Sequence, residues 1–505
     1  MEVINESYIE IHSAPVVLPY NIVNEDESFG LFTIKMNKTA IRQIPFHFVF
    51  TIDTTLSMTE ASDGQPSKMV YMQKTMIGML KYLMEIDPNV YITIQTFNTE
   101  VNTIVNDLLL SKASITSLID KIYGLVPDNS TNIQIALEYA NKTIHSNFEK
   151  YPDDQHIHIF MTDGNANIGI TSPELLINLI VEKVPNIFIG FGQDHNSEML
   201  RKFSECKNAE YYFVDNLENA SLVYAESIHN VLYSAMRDVE FRIVNGQLYD
   251  YATNKWTSVL HENSLSSECQ KYYQLKTADK ENVELHISGK NISSQDIEYE
   301  SVVKVLPDLY VSALDDDEEF LPVDLTKYAY RKKVQELMYL AKNTSSEDDD
   351  DVFQDYYDPN DRASIKKDLK EVFKDIQQYT KENDLAEDGL LKMLCEDIYV
   401  TNKSLNTKNS RMYVSARQTS QGRQRSYNVG KTVDYNDMPF PKLRRQNTDL
   451  DLDGYRMTDT NTTCFASPTM VNTFNDVTIC TQSTGQDLGE DFTIQIGSQS
   501  PTSED

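Results

Sequence analysis

The side chains best placed for chemistry in this chain are oxygen donors. In the stretch "FHFVFTIDTTLSMTE", residues 46–60, an apolar run ends at Asp53, and Thr54, Thr55 and Ser57 follow within four positions. Asp53, Thr55 and Ser57 alternate along one short loop, so their side chains can point to the same side while Thr54 faces away. A magnesium ion takes six oxygens in an octahedron at about 2.0–2.1 Å and sheds water reluctantly, so a few carboxylates and hydroxyls suffice to hold it. Two further donors stand at comparable places. Asp163, in "MTDGNANIG", ends another apolar run, and Gly164 permits the tight turn after it. Thr131, in "DNSTNIQIALEYA", precedes a helical stripe of apolar residues at 133, 137, 140 and 144. Singly, each is an ordinary cap or turn residue. Jointly, at strand and helix ends of one unit, they point to three loops sharing a cation.

The elements that must position those loops follow from periodicity. "FHFVFTI" is apolar on both faces, as a parallel strand covered by helices requires. "KMVYMQKTMIGMLKYLMEI" carries a helical stripe at 69, 72, 76, 80, 83 and 84. "VYITIQTF", "HIHIFMT", "NIFIGFG" and "EYYFV" read as further strands, "VNTIVN" as a short edge strand, and the segments 112–123, 132–146 and 173–183 as helices. Strand-helix alternation from 45 to 235 predicts a doubly wound, mostly parallel α/β sheet. Residues 1–44 and 236–312 alternate with period two instead, and the spacing predicts that they join in one antiparallel β-sandwich, into which the α/β domain is inserted. Residues 313–415 combine the acidic runs "DDDEE" (315–319) and "EDDDD" (347–351) with helical periodicity. From 416 to 505 a Ser-, Thr-, Gln- and Asn-rich composition predicts a largely disordered tail.

Composition excludes several classes. With 45 Lys+Arg against 77 Asp+Glu the net charge is −32, which disfavours nucleic acid as a partner. The five cysteines, Cys206, Cys269, Cys395, Cys464 and Cys480, are too far apart for a zinc module or a CxxC redox site, and their odd, sparse count fits a reducing compartment. "MEVINESYIE" lacks a signal-peptide pattern, and no apolar run approaches the ~20 residues of a membrane span. The expectation is an intracellular, cytoplasmic protein of unassigned oligomeric state.

The segments "FVFTIDTTLSM", "STNIQIALEYA" and "FMTDGNANIG" resemble the three motif segments of the von Willebrand factor A domain, whose metal-ion-dependent adhesion site uses Asp-x-Ser-x-Ser, a Thr and an Asp. "IFIGFGQDHNSEMLRKFSECKNAEYYFVDN" is similar to the late strand-helix-strand part of that family. The resemblance implies a Rossmann-like fold over 45–235 and a Mg²⁺ site (or Mn²⁺/Ca²⁺) made of Asp53, Thr55, Ser57, Thr131 and Asp163. Thr55 departs from the family's usual Ser but keeps the hydroxyl. The flanking regions resemble the surroundings of such domains in proteins of large DNA viruses and of plants and protists, which places host cytoplasm or a virion among the expected locations.

What such a site implies is binding. The open position of the ion accepts an Asp or Glu of a partner protein, and no nucleophile and base are evident, so no enzyme is expected. His47 and His158 fall on central strands and read as buried core residues. Two other functions are compatible with the chain: an adaptor or scaffold of an enzyme complex such as a ubiquitin ligase, or a structural virion component. The acidic runs read as solvated linkers or as internal competitors for the ion. Arg417, Arg423, Arg425, Arg444 and Arg445 read as part of a solvated tail, although three of them stand three residues before a hydroxyl, a spacing that suits basophilic kinases.

Overall fold

The structure, a computed structural model, describes residues 4–11, 18–41, 44–60, 67–86, 89–192, 195–214, 220–291, 297–305, 323–344, 359–405, 410–425, 465–467, 469–474 and 476. The chain opens with β1 (Ile4–Ile11) and β2 (Ser28–Met36), an antiparallel pair. The α/β region then runs β3 (Phe46–Asp53), α1 (Lys68–Ile86), β4 (Val90–Phe97), β5 (Val101–Leu109), α2 (Ile115–Tyr123), α3 (Ile133–Lys150), β6 (Gln155–Thr162), α4 (Pro173–Leu176), β7 (Asn186–Phe191), α5 (Ser197–Phe203), β8 (Ala209–Val214) and α6 (Ala220–Leu232). Its strands form one sheet in the order β5-β4-β3-β6-β7-β8, parallel except for the antiparallel edge strand β5.

All eight residues of β3 are buried, which explains its two-sided apolar sequence. Phe48, Phe50 and Ile52 share a core with Met72, Met76 and Leu80 of α1, whereas Val49, on the opposite face, packs with Ile144 of α3. Because β3 lies between β4 and β6, the direction of winding reverses there. The carboxyl ends of β3 and β6 therefore flank the crevice where open α/β sheets bind ligands.

The chain then returns to antiparallel strands: β9 (Ser234–Val244), β10 (Gln247–Asp250), β11 (Lys255–Thr257), β12 (Val259–Ser266), β13 (Gln270–Thr277), β14 (Glu284–Asn291) and β15 (Ile297–Lys304). Among the described residues they make two sheets, β1-β2-β13-β10-β11 and β12-β9-β14-β15. β2 pairs with β13 along its length, from Ser28↔Thr277 to Lys35↔Gln270, so the strands before the α/β region join the sheet after it. Phe32, Ile34 and Met36 on one sheet share a core with Met236, Phe241 and Ile287 on the other, a sandwich closed by apolar burial.

A helical region follows, with α7 (Leu325–Asn343), α8 (Pro359–Glu382), α9 (Gly389–Ser404) and α10 (Ser410–Gly422). They share a core that also takes Phe29 and Leu31 from β2. Two expectations need correction. The segment 173–183 is helical only over Pro173–Leu176, followed by a 3-10 turn at Ile177–Leu179. The tail expected from 416 begins instead inside α10, and residues 416–425 are ordered by burial. Arg417 is fully buried against the equally buried Asp397, with Nη1 2.9 Å from Oδ1. Arg425 donates to the Tyr211 carbonyl at 2.8 Å and lies 3.7 Å over the Tyr212 ring. Ser420 is buried too, which removes it as a ready kinase substrate. Further along, Phe465 packs in the helical core and Met470 and Phe474 pack on the α/β core. Ser426, Arg444, Arg445 and Thr448, and both acidic runs, lie outside the described residues.

Candidate metal centre

Asp53 is the last residue of β3, and its carboxylate is completely buried. Oδ1 accepts the Thr55 backbone N–H at 2.9 Å and Oδ2 accepts the Thr162 hydroxyl at 2.6 Å. These bonds fix the carboxylate and turn the chain after it. Thr55 Oγ1 and Ser57 Oγ stand 3.0 Å apart, and Ser57 Oγ donates to Asp163 Oδ1 at 2.8 Å. The alternation along the loop thus does bring Thr55 and Ser57 together. Thr54 takes no part: its hydroxyl donates to the Phe97 carbonyl at 3.1 Å.

Thr131 arrives from the third loop. Asn132, not Thr131, caps α3 by accepting the Ile135 N–H, so Thr131 is not engaged as a helix cap. Its backbone is tied to the Asp163 loop instead: its N–H donates to Asn167 Oδ1 at 2.9 Å, and its carbonyl accepts from the N–H groups of Asn167 and Ile168. Leu56 N–H donates to the Asn129 carbonyl at 3.1 Å, joining the first loop to the same segment. Gly164 marks the meeting point. A Cβ there would lie 3.3 Å from Thr131 Oγ1 and 3.8 Å from Ser57 Oγ, so a side chain would begin to fill the space the three loops enclose. All five expected donors therefore converge, two of them carboxylates and three hydroxyls.

The electrostatics of the cluster ask for a cation. Burial, reinforced by the neighbouring Asp163, pushes the Asp53 carboxyl up to about 6, while the bonds from Thr162 and Thr55 hold it back. Two buried acids side by side are unfavourable without a positive charge between or beside them. The structure supplies one that sequence reasoning missed. Lys68, the first residue of α1, places Nζ 2.9 Å from Asp163 Oδ2 and 2.6 Å from Glu60 Oε2. Among the described residues no group of three or more His, Cys, Asp or Glu side chains could hold a metal ion, which is consistent with a donor set that is mainly hydroxyl. That set suits a hard divalent ion. Thr162 and Asn167, which orient Asp53 and Thr131, were also unforeseen; they sit one residue before Asp163 and four after it, inside the quoted "MTDGNANIG".

His158 bonds to Thr51 Oγ1 and Asn186 Oδ1, and burial depresses it to about 4. His195, beyond β7, is likewise depressed to about 4 by burial, with its two ring nitrogens on the Gly192 carbonyl and the Tyr211 hydroxyl. Each of the three loops exposes one large apolar side chain, Leu56 at 61 %, Val126 at 77 % and Ile168 at 38 %, beside polar ones such as Glu60, Asn129 and Asn165.

Comparison with known proteins gives the same domain. Residues 48–226 match the sequence model of the von Willebrand factor type A domain, and this part of the chain has that fold. An uncharacterised protein, YfbK of Escherichia coli (strain K12), is 27 % identical over 203 residues, covering 39 % of this chain; the match spans 33 % of that relative's length. Among solved structures, a von Willebrand factor type A protein from Catenulispora acidiphila aligns with a TM-score of 0.48 and 11 % identity, over 78 % of this chain and 89 % of the other. The ArnB paralog VWA2 from Sulfolobus acidocaldarius aligns with a TM-score of 0.47 and 13 % identity, over 83 % and 98 %.

Proposed function

We propose that this von Willebrand factor type A domain is a metal-dependent protein-interaction module, in which Asp53, Thr55, Ser57, Thr131 and Asp163 hold Mg²⁺ and a partner's Asp or Glu completes its coordination. The observation that carries the reading is the convergence of those five donors at the switch point of the sheet, around the space beside Gly164. When bound, the divalent ion would offer an outward coordination position to a carboxylate oxygen. The chain's own part is to fix the donors: Thr162 and the Thr55 N–H orient Asp53, Asn167 anchors Thr131, and Ser57 bridges to Asp163. Exposed Leu56, Val126 and Ile168, one on each donor loop, offer apolar contact area to such a partner.

We further propose that the chain is not itself an enzyme. The hydroxyls of the site are committed to the donor set, and the nearby His195 is buried and depressed by its surroundings. Among the described residues no helix is long and apolar enough to cross a membrane. The test is affinity capture with the full chain in Mg²⁺ and in EDTA, using wild type and Asp53→Ala. Partners recovered only by wild type in Mg²⁺ support the reading. The same partners in every condition would overturn it.

A further inference from the structure

The ammonium of Lys68 stands where a metal-binding carboxylate should be free to take its ion. Asp163 Oδ1 is bonded to Ser57, and Oδ2, its other oxygen, accepts Lys68 Nζ at 2.9 Å. The position of Lys68 is built rather than incidental. Its backbone N–H donates to the Glu60 carbonyl at 3.0 Å, while its Nζ donates to the Glu60 carboxylate at 2.6 Å, so residues 60 and 68 are joined twice. On the other side Gly192, with φ +68°, gives the stem room: a Cβ there would lie 3.3 Å from Lys68 Cε. Lys68 is 8 % exposed and Asp163 fully buried, whereas the Glu60 side chain is 58 % exposed. One end of the ammonium's pair of contacts is therefore interior and the other faces water.

From this geometry we infer that Lys68 is the resident cation of the site, that it and a divalent ion compete for Asp163, and that Glu60 is the second seat that keeps the ammonium when the ion binds. The inference rests on the metal-site reading above and adds a residue that sets the affinity of the site. A monocation on Asp163 engages one carboxylate oxygen and repels a dication a few ångström away, and both effects weaken metal binding. The same charge offsets the two acids when no ion is present, so the buried pair is tolerated in either state. The site is consequently one that loads at elevated ion concentration and empties again, with Lys68 closing it, in contrast to a permanently filled structural site.

The full-length chain can be titrated calorimetrically with Mn²⁺ and with Mg²⁺. Lys68→Met should tighten binding by at least about tenfold through loss of the competing charge, Lys68→Arg should stay near wild type, and Glu60→Gln should weaken binding by roughly threefold because the ammonium loses its second seat. Wild-type affinity, or weaker, in Lys68→Met that still unfolds cooperatively would overturn the inference while leaving the metal site standing. If neither wild type nor Lys68→Met binds either ion, the metal-site reading fails together with it. A measurement on unaltered protein gives an independent check: acylation of Lys68 by an amine-reactive ester, located by mass spectrometry, should rise on addition of Mn²⁺ as the ammonium leaves Asp163. Labelling that is unchanged or reduced in protein shown to bind Mn²⁺ would overturn the exchange.

Discussion

The two ends of the central sheet both concentrate charge, yet they are organised differently. At the amino end of β3, His47 has Nε2 2.9 Å from Asp154 and Nδ1 3.4 Å from Asp107, and its ring packs on both Tyr91 and Tyr151 at 4.7 and 4.5 Å. Asp107 also takes Lys150 at 2.5 Å and the Tyr151 hydroxyl at 2.8 Å. At the carboxyl end, Asp53 and Asp163 are surrounded by hydroxyls that can turn their lone pairs toward an ion, with Lys68 as the counter-charge on Asp163. Rigid aromatic walls and ionic partners make the first cluster a structural pin. Small hydroxyl donors, a glycine at the centre and an exposed rim make the second a place where a guest can sit.

Breaking the pin tests the contrast most severely. His47→Ala removes a stacked, hydrogen-bonded ring from the core and should lower the unfolding free energy by about 3 kcal/mol. Urea unfolding measures that loss, and Mn²⁺ titration of the same variant should match wild type. A parallel loss of metal affinity would mean that the two ends are one coupled system.

The pH dependence of stability is comparable in size, at most about 3 kcal/mol for one histidine. His158, His195 and His229 are each depressed to about 4 by burial. Unfolded, they take up a proton from about pH 6.5 downward, so the unfolded chain binds more protons and stability falls between pH 6.5 and 4. Asp53 and Asp397, both pushed up to about 6 by burial, act with the opposite sign below pH 6, since there the fold holds protons that unfolded carboxylates release. Replacing His158 with Gln should therefore flatten the acid side of a plot of urea midpoint against pH. A slope equal to that of wild type would show that His158 is not held neutral by the fold.

The mildest change sharpens the site itself. Thr55→Ser deletes one methyl group and keeps the donor, so stability should shift by about 1 kcal/mol or less, with metal binding retained. Loss of binding in this variant would mean that the methyl group of Thr55, 2 % exposed, positions the loop rather than merely accompanying the hydroxyl.

Much of this was legible along the chain because it is local. A strand buried on both faces has to be apolar at every position, and "FHFVFTI" shows that directly. Asp53, Thr55 and Ser57 lie within five residues, so their shared side follows from backbone alternation. Thr131 and Asp163 could be placed because each stands at the end of a periodic element. Arg417 of α10 and Arg425 just beyond it were misread for the opposite reason. Arg417 and Arg425 look like tail residues by composition, and only Asp397 and Tyr212, brought in from elsewhere, make them interior. Polar residues carry no sign in the sequence of whether a distant partner will bury them.

The sequence by itself determined the six-stranded α/β core, the three donor loops and the return to antiparallel strands, since periodicity and turn chemistry are written over a few residues at a time. Only the tertiary structure decided that β2 pairs with β13 across some 240 positions of chain, that Arg417 meets Asp397 in the dark of the helical core, and that Lys68 reaches Asp163. Lys68 and Asp163 are 95 positions apart. Their contact depends on how α1 leaves the first loop and how β6 lies beside β3, and no local pattern encodes that distance.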